Sequence, residues 1–219
     1  PPQIDVERLE MLTNPQKDVD GFHPDSPYTL PLPLAVVKII EEVYRTERGV
    51  TGKEKTQQEN VILGSEATPE SLRKTSLSDS GQARMTNDFI TWLKAQNIVV
   101  LGKGPTGGGP IIKLLNKLGT NPHLIDSKTE NSEELMKNAD IIIASVGREN
   151  VVTPEKIKPG VILVGVGILR GEDGKLKGDY DVEKIKDIAG SYTPTPGGVG
   201  PVNVAMLMEN LVTAAEKQT

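Results

Sequence analysis

Gly102, Gly104 and Gly107 form a G-x-G-x-x-G spacing directly after the wholly apolar run Ile98, Val99, Val100 and Leu101. A short run of branched apolar residues predicts a strand buried on both faces of a parallel sheet. Glycine suits the turn that follows. There the chain must reverse tightly, approach a pyrophosphate with no Cβ in the way, and seat the next helix closely on the strand. Such a helix directs its free N–H groups at the phosphates. Pro110 is tolerated in a first helical turn, Ile111, Ile112, Leu114, Leu115 and Leu118 make an apolar face, and Gly119 is a natural C-terminal cap. A second strand, residues 123–126, ends on Asp126. That acid lies about 20 residues past the turn, where a dinucleotide fold places the carboxylate for the adenosine ribose hydroxyls. Glycine-rich turns also occur in loops that bind nothing. Strand, turn, helix, strand and acid in this order point to a dinucleotide cradle.

Two further stretches carry chemistry. Residues 17–24, KDVDGFHP, place Asp18 and Asp20 around one valine, before a glycine and an imidazole. Asp and Gly together make turns, so these carboxylates read either as turn formers or as ligands. Residues 193–203, TPTPGGVGPVN, alternate rigid prolines with permissive glycines before a helix. That composition fixes one backbone path, either as a strand-to-helix turn or as a second binding loop.

The elements that must position these residues follow from periodicity. At 219 residues and 36% apolar composition the chain suffices for one large domain, or one domain with appendages. Residues 30–44 predict a helix begun by Pro31 or Pro33, with Val36, Val37, Ile40 and Val43 inward. Residues 89–93 return to apolar spacing around Trp92. Further strands are expected at 141–145, 161–168 and 191–193, a helix capped by Asn131 or Ser132, and a short helix at 182–188. A polar, hairpin-like excursion separates residue 168 from residue 182. The last helix is expected over 204–217, with Val204, Leu207, Met208 and Leu211 in the core. Residues 1–16 suggest a short surface helix, and 45–88 a polar insertion with an edge strand at 61–63. The expected fold is α/β, a Rossmann-like doubly wound, mostly parallel sheet with helices on both faces.

A net charge of −5 and 3% aromatics argue against a nucleic-acid partner. Nothing is long and apolar enough to span a bilayer, so no membrane partner is expected, and the expected compartment is the cytoplasm, with the mitochondrion open. With no cysteine and two histidines, neither a thiol nucleophile nor a metal site is expected.

The motifs at 17–24, 102–110, 139–147, 157–170, 178–181 and 193–210 resemble, in order and spacing, the methylenetetrahydrofolate dehydrogenase/cyclohydrolases and their monofunctional relatives. The last stretch, TPTPGGVGPVNVAMLMEN, is the most specific. The resemblance covers most of the chain except 45–88. It implies a folate-site aspartate at Asp20 and a folate loop at Pro196, Gly197, Gly198, Val199 and Gly200. It implies cofactor contacts at Gly102, Lys103, Gly104, Gly107, Asp126, Ser127 and Ile168. Residues 1–29 would be an interlobe segment with the folate-site turn, and 30–219 the dinucleotide-binding domain. The chain looks like the carboxy-terminal part of such an enzyme, without the lobe that supplies the Tyr and Lys of the one-carbon centre. A homodimer is expected by the same resemblance.

Four departures stand out: the absent lobe, L-P-L-P at 30–33 for the family's P-C-T-P, G-K-G with Asp126 for G-R-S and a frequent histidine, and Gly165 and Asn203 for an acid and a Thr. The leading expectation is a nicotinamide-dependent 5,10-methylenetetrahydrofolate dehydrogenase of one-carbon metabolism. Cyclohydrolase activity would require the absent Lys, and thus a longer form. Asp126 favours NAD, because a carboxylate accepts from ribose hydroxyls and repels a 2′-phosphate. Lys103 and Lys128 are the opposing consideration, since either can pair with the phosphate of NADP. The competing readings are a non-catalytic nucleotide-binding module or pseudoenzyme, and a Rossmann enzyme with an unrelated substrate.

Overall fold

The computed structural model describes residues 10–48, 61–62, 85–171 and 174–217. Helix α1 spans Pro31–Glu47, and the backbone of β1, Val61–Ile62, follows. Next come α2 (Asn87–Lys94), β2 (Ile98–Leu101), α3 (Gly108–Lys117), β3 (His123–Ile125), α4 (Ser132–Asn138) and β4 (Ile141–Ala144). After these lie β5 (Ile162–Gly165), β6 (Ile168–Arg170), β7 (Leu176–Gly178), α5 (Val182–Ile185), β8 (Ser191–Tyr192) and α6 (Val199–Glu216).

Six strands form one sheet in the order β1-β8-β5-β4-β2-β3, with every neighbouring pair parallel. The order reverses between β2, which continues outward to β3, and β4, which leads the other way. That is the switch point at which open α/β sheets bind ligands, outside the carboxyl ends of the strands. Side chains alternate across the sheet. Ile98, Val100, Ile141, Ile143, Ile162 and Val164 pack with α1, α2, α3 and α6. Val99, Leu101, Ile142, Ala144 and Leu163 pack with Met136 of α4 and Ile185 of α5. Helices therefore cover both faces, as the unbroken apolar runs require.

The expected helix at 30–44 forms with Pro31 opening it and extends to Glu47. Its Val36, Val37, Ile40 and Val43 are fully buried. Tyr44, Phe89 and Trp92 cluster at its carboxyl end with ring centroids 5.1–6.0 Å apart, Phe89 stacked on Trp92 and Tyr44 tilted against both. Glu41, also buried, lies between Arg45 at 2.7 Å and Lys38 at 3.1 Å. Residues 61–62 do form an edge strand beside β8, while residue 63 and most of the insertion lie outside the described residues. Of the helix expected in 1–16, residues 10–12 are helical and 1–9 lie outside the described residues.

Several boundaries differ from expectation. The strand at 161–168 ends at Gly165, and Ile168 starts a separate antiparallel hairpin with β7. The helix at 182–188 closes at Ile185, and the strand at 191–193 stops at Tyr192. The last helix starts five residues early, at Val199 inside the glycine cluster. Its buried residues are Val199, Val202, Met206, Asn210 and Ala214. Val204, Met208 and Leu211, expected in the core, are about half exposed, with Leu207 intermediate. A helix apolar on all sides gives no period from which to choose the inward face.

One close approach sets α3 on β2. A Cβ at Gly108 would collide with the carbonyl oxygen of Gly102, whereas one at Gly104 would meet nothing within 4 Å. Helix–strand packing therefore falls to Gly108 rather than to Gly107, the third glycine of the spacing. Gly108→Ala is expected to lower stability by about 1–3 kcal/mol through forced backbone displacement. Gly104→Ala should be neutral or stabilise by up to about 1 kcal/mol. Denaturant midpoints of the two variants check the contrast.

Candidate functional site

The Gly102 turn leaves β2 at φ +89°, a left-handed conformation open to glycine. Its N–H donates to the Ile125 carbonyl at 2.9 Å, tying the turn to the end of β3. On the other side the Ser145 carbonyl lies 2.5 Å from where a Gly102 Cβ would sit, and a Cβ at Gly107 would collide with Ser145 Oγ. The chain thus passes between the ends of β3 and β4 with no room for a side chain. Gly107 caps α3. Gly109 N–H donates to the Gly104 carbonyl at 3.1 Å and Pro110 has no N–H, so the Gly108 N–H is the one the first turn leaves beside the open space over Gly104. This is the shape a pyrophosphate requires.

Asp126 follows β3 directly, and Lys103 bridges to it from the turn, with Nζ 2.7 Å from Oδ2. The Lys128 N–H donates to Oδ1 at 2.9 Å, and Thr129 Oγ1 approaches it at 3.4 Å. The hydrogen bond from Lys103, then that from Lys128, holds the Asp126 carboxyl below its ordinary pKa. Ser127 is exposed in the same turn. Lys103, Asp126 and Ser127 therefore stand together at one end of the cradle.

At the other end the structure adds a residue to which the sequence assigned no role. Asp179 is fully buried and accepts four backbone N–H groups: Gly147 at 2.7 Å and Arg148 at 3.1 Å on Oδ1, Gly167 at 3.0 Å and Val146 at 3.4 Å on Oδ2. No cationic side chain is paired with it among the described residues. The carboxylate clamps the loop after β4 to the loop after β5, which explains why β5 stops short of residue 168. Ile168 leaves this clamp 54% exposed beside the switch point.

The next residue secures a third loop. Tyr180 hydroxyl donates to the Thr193 carbonyl at 2.8 Å, and Thr193 Oγ1 accepts the Gly165 N–H at 2.8 Å. The Tyr180 phenol packs 3.1–3.2 Å from where a Gly165 Cβ would sit, so a side chain there would press on it. Thr193 opens the second glycine loop, in which Pro196, Gly197 and Gly198 form the turn and Val199 and Gly200 begin α6. Asn203, one turn further, has a buried Oδ1 without a partner among the described residues.

The two aspartates of 17–24 separate in role. Asp18 is buried and accepts the His23 N–H at 2.7 Å and the Gly21 N–H at 3.2 Å, so it builds the turn. Asp20 is exposed at its tip. The open cradle and the paired acid fit a dinucleotide. The signals that sequence reasoning missed, Gly108, Asp179 and Tyr180, depend on which segments meet in space.

Asp179→Asn should lower stability by about 3 kcal/mol, because an amide nitrogen would face N–H donors in a dry site. Faster amide exchange at Val146, Gly147, Arg148 and Gly167 would report the released loops. Burial pushes the Tyr180 phenol from 10.0 up to about 12, against the lowering by its bonds to Thr193. Folding thus favours the protonated phenol, a contribution complete below pH 10 and lost as pH rises from 10 to about 12. Over that interval wild type should lose up to about 3 kcal/mol more stability than Tyr180→Phe in parallel denaturation series.

Comparison with known proteins agrees with this geometry. The family model for the tetrahydrofolate dehydrogenase/cyclohydrolase NAD(P)-binding domain matches residues 78–219. The bifunctional protein FolD of Lactococcus lactis is 32% identical over 220 residues, an alignment covering 100% of this chain and 64% of the relative. The bifunctional FolD structure from Campylobacter jejuni superposes with a TM-score of 0.74 at 27% identity, covering 100% of this chain and 65% of that one. A 5,10-methylenetetrahydrofolate dehydrogenase from the silkworm Bombyx mori gives 0.66 at 26% identity, again over 100% and 65%. The chain thus spans slightly under two thirds of the relatives it matches. With a glycine cradle, a paired acid and a three-loop clasp on the matched sheet, the chain belongs to the tetrahydrofolate dehydrogenase/cyclohydrolase family and carries its NAD(P)-binding domain.

Proposed function

We propose that this chain is the cofactor-binding part of a nicotinamide-dependent 5,10-methylenetetrahydrofolate dehydrogenase of one-carbon metabolism. The observation that carries the reading is the Gly102 cradle with Asp126 at one end and the Asp179 clasp at the other, on a sheet matched by the family. A bound nicotinamide dinucleotide supplies the hydride-accepting chemistry. The chain's residues do the positioning. Gly102, Lys103, Gly104 and Gly107 would take the pyrophosphate side, with the Gly108 N–H at the start of α3 as the backbone donor to its oxygens. Asp126 and Ser127 would meet the adenosine ribose, and Ile168 would cover the nicotinamide end. Asp20 would hold the pterin, opposite residues 196–200, and would not act as a base.

In this reading residues 1–29 carry the folate-site turn between lobes, and residues 30–219 are the dinucleotide domain, with the insertion expected at 45–88 reduced to the stretch between α1 and α2. The functional unit is a cytoplasmic homodimer. Cyclohydrolase activity belongs to a form that also has the Tyr and Lys lobe.

NAD is the preferred cofactor. The ionised Asp126 carboxylate repels a 2′-phosphate and accepts from ribose hydroxyls.

The test follows reduced nicotinamide formed from 5,10-methylenetetrahydrofolate, with NAD and NADP side by side, on this chain and on the longest product of its gene. Turnover that is faster with NAD is the expected outcome. Nucleotide binding without turnover in either form would instead favour the non-catalytic reading. Asp126→Ser should shift the NADP-to-NAD ratio of kcat/KM upward by about tenfold, equivalent to about 1.4 kcal/mol. An unchanged ratio would remove the argument for NAD.

A further inference from the structure

Asn210 sits in the middle of α6, where asparagine is a poor helix former, and it is 2% exposed. Its side-chain amide spends both hydrogens outside its own helix. Nδ2 donates to the Val19 carbonyl at 2.8 Å and to the Thr29 carbonyl at 3.0 Å. Those carbonyls flank the segment that presents Asp20. Inside the segment, Asp18 gathers the Gly21 and His23 N–H groups, and Ser26 Oγ donates to the Asp18 carbonyl at 2.9 Å. The segment is thus closed on itself as a small rigid loop. Asn210 ties it to the body by hydrogen bonds, and Lys217 Nζ adds a contact 5.6 Å from the Tyr28 ring centroid.

The same helix begins within the second glycine loop. Ten residues separate Gly200 from Asn210, about 15 Å along a helix axis. One rod therefore fixes both the loop at 196–200 and the turn bearing Asp20.

We infer that Asn210 is a positioning residue that holds Asp20 in register with the 196–200 loop, and so sets folate affinity without touching folate. The inference rests on the proposed folate role of Asp20. A displacement of about 1 Å in such a group is enough to weaken a productive pose substantially.

The experiment uses the longest product of the gene and compares Asn210→Asp, Asn210→Leu and Asp20→Asn. The first keeps the side chain's shape and turns an acceptor toward two carbonyls. The second removes the donor altogether, so either variant suffices where the other fails to fold. Both should raise the KM for 5,10-methylenetetrahydrofolate by about tenfold, leave the Kd for NAD within about twofold, and speed amide exchange in residues 19–29 by about tenfold. A folate KM unmoved in a folded Asn210 variant, while Asp20→Asn raises it, overturns the positioning role. So does a loss of NAD affinity in parallel, which would mark general destabilisation. An Asp20→Asn enzyme with an unchanged folate KM overturns the folate assignment of Asp20 itself, and the positioning role falls with it.

Discussion

The buried carboxylate of Asp179 is the constraint on which the ligand-facing edge of this sheet depends. A carboxylate removed from water without a cation carries a cost of several kcal/mol, offset only where fixed dipoles replace its hydration. Here four N–H groups from two loops do so. The satisfaction is mutual: the Val146, Gly147 and Arg148 N–H groups lie beyond the end of β4, and the Gly167 N–H, beyond β5, is shared between Asp179 and the Ala144 carbonyl. Neither loop can adopt another path without leaving buried polar groups unpaired. Tyr180 extends the constraint to the start of the second glycine loop through Thr193. Two consecutive side chains therefore fix three loops around the switch point, and three sequence motifs that lie far apart become one physical object.

The architecture could be read from the sequence wherever local pattern and tertiary environment ask for the same residues. Ile98–Leu101 and Ile141–Ala144 are apolar throughout because both faces of the sheet are covered, and that requirement is visible in the residues themselves. The Gly102 turn was legible for a similar reason: its spacing reflects a backbone need that only glycine meets. Where the deciding contact is distant in sequence, the reading failed. Nothing in VGVGILR announces that the strand must end at Gly165 and that Gly167 must meet Asp179. Nothing in the last helix distinguishes Met206, which is buried, from Met208, which is half exposed. The helix is apolar on every side, and the face that packs is selected by α1 and by the loop that Asn210 holds.

Burial sorts the aspartates that residue type alone left equivalent. Asp18 and Asp179 are buried, and their oxygens are occupied by backbone N–H groups. Such groups shape loops, and burial keeps them from a ligand. Asp20 is exposed at the tip of the turn that Asp18 builds, and Asp126 is reachable from solvent with Lys103 as a displaceable partner. An exposed ion pair of this kind contributes little to stability, so exchanging Lys103 for ribose hydroxyls costs the fold little. The buried acids hold the geometry and the accessible ones are free to recognise.

That division also explains why the candidate site draws on both ends of the chain. The dinucleotide side is built within one α/β unit, from the turn after β2 to the loop after β5, and its parts are fixed by the sheet. The proposed folate side has no such sheet: the turn bearing Asp20 precedes α1, and the loop at 196–200 precedes α6. Their relative placement comes from helix packing, because α1 and α6 lie against each other over the same core. A helix pair held by apolar contact alone can slide by fractions of a turn, since such contacts have little direction. A directional hydrogen bond from a buried amide cannot slide in this way. Asn210, at the crossing of the last helix with the Asp20 segment, supplies that direction where the hydrophobic core does not.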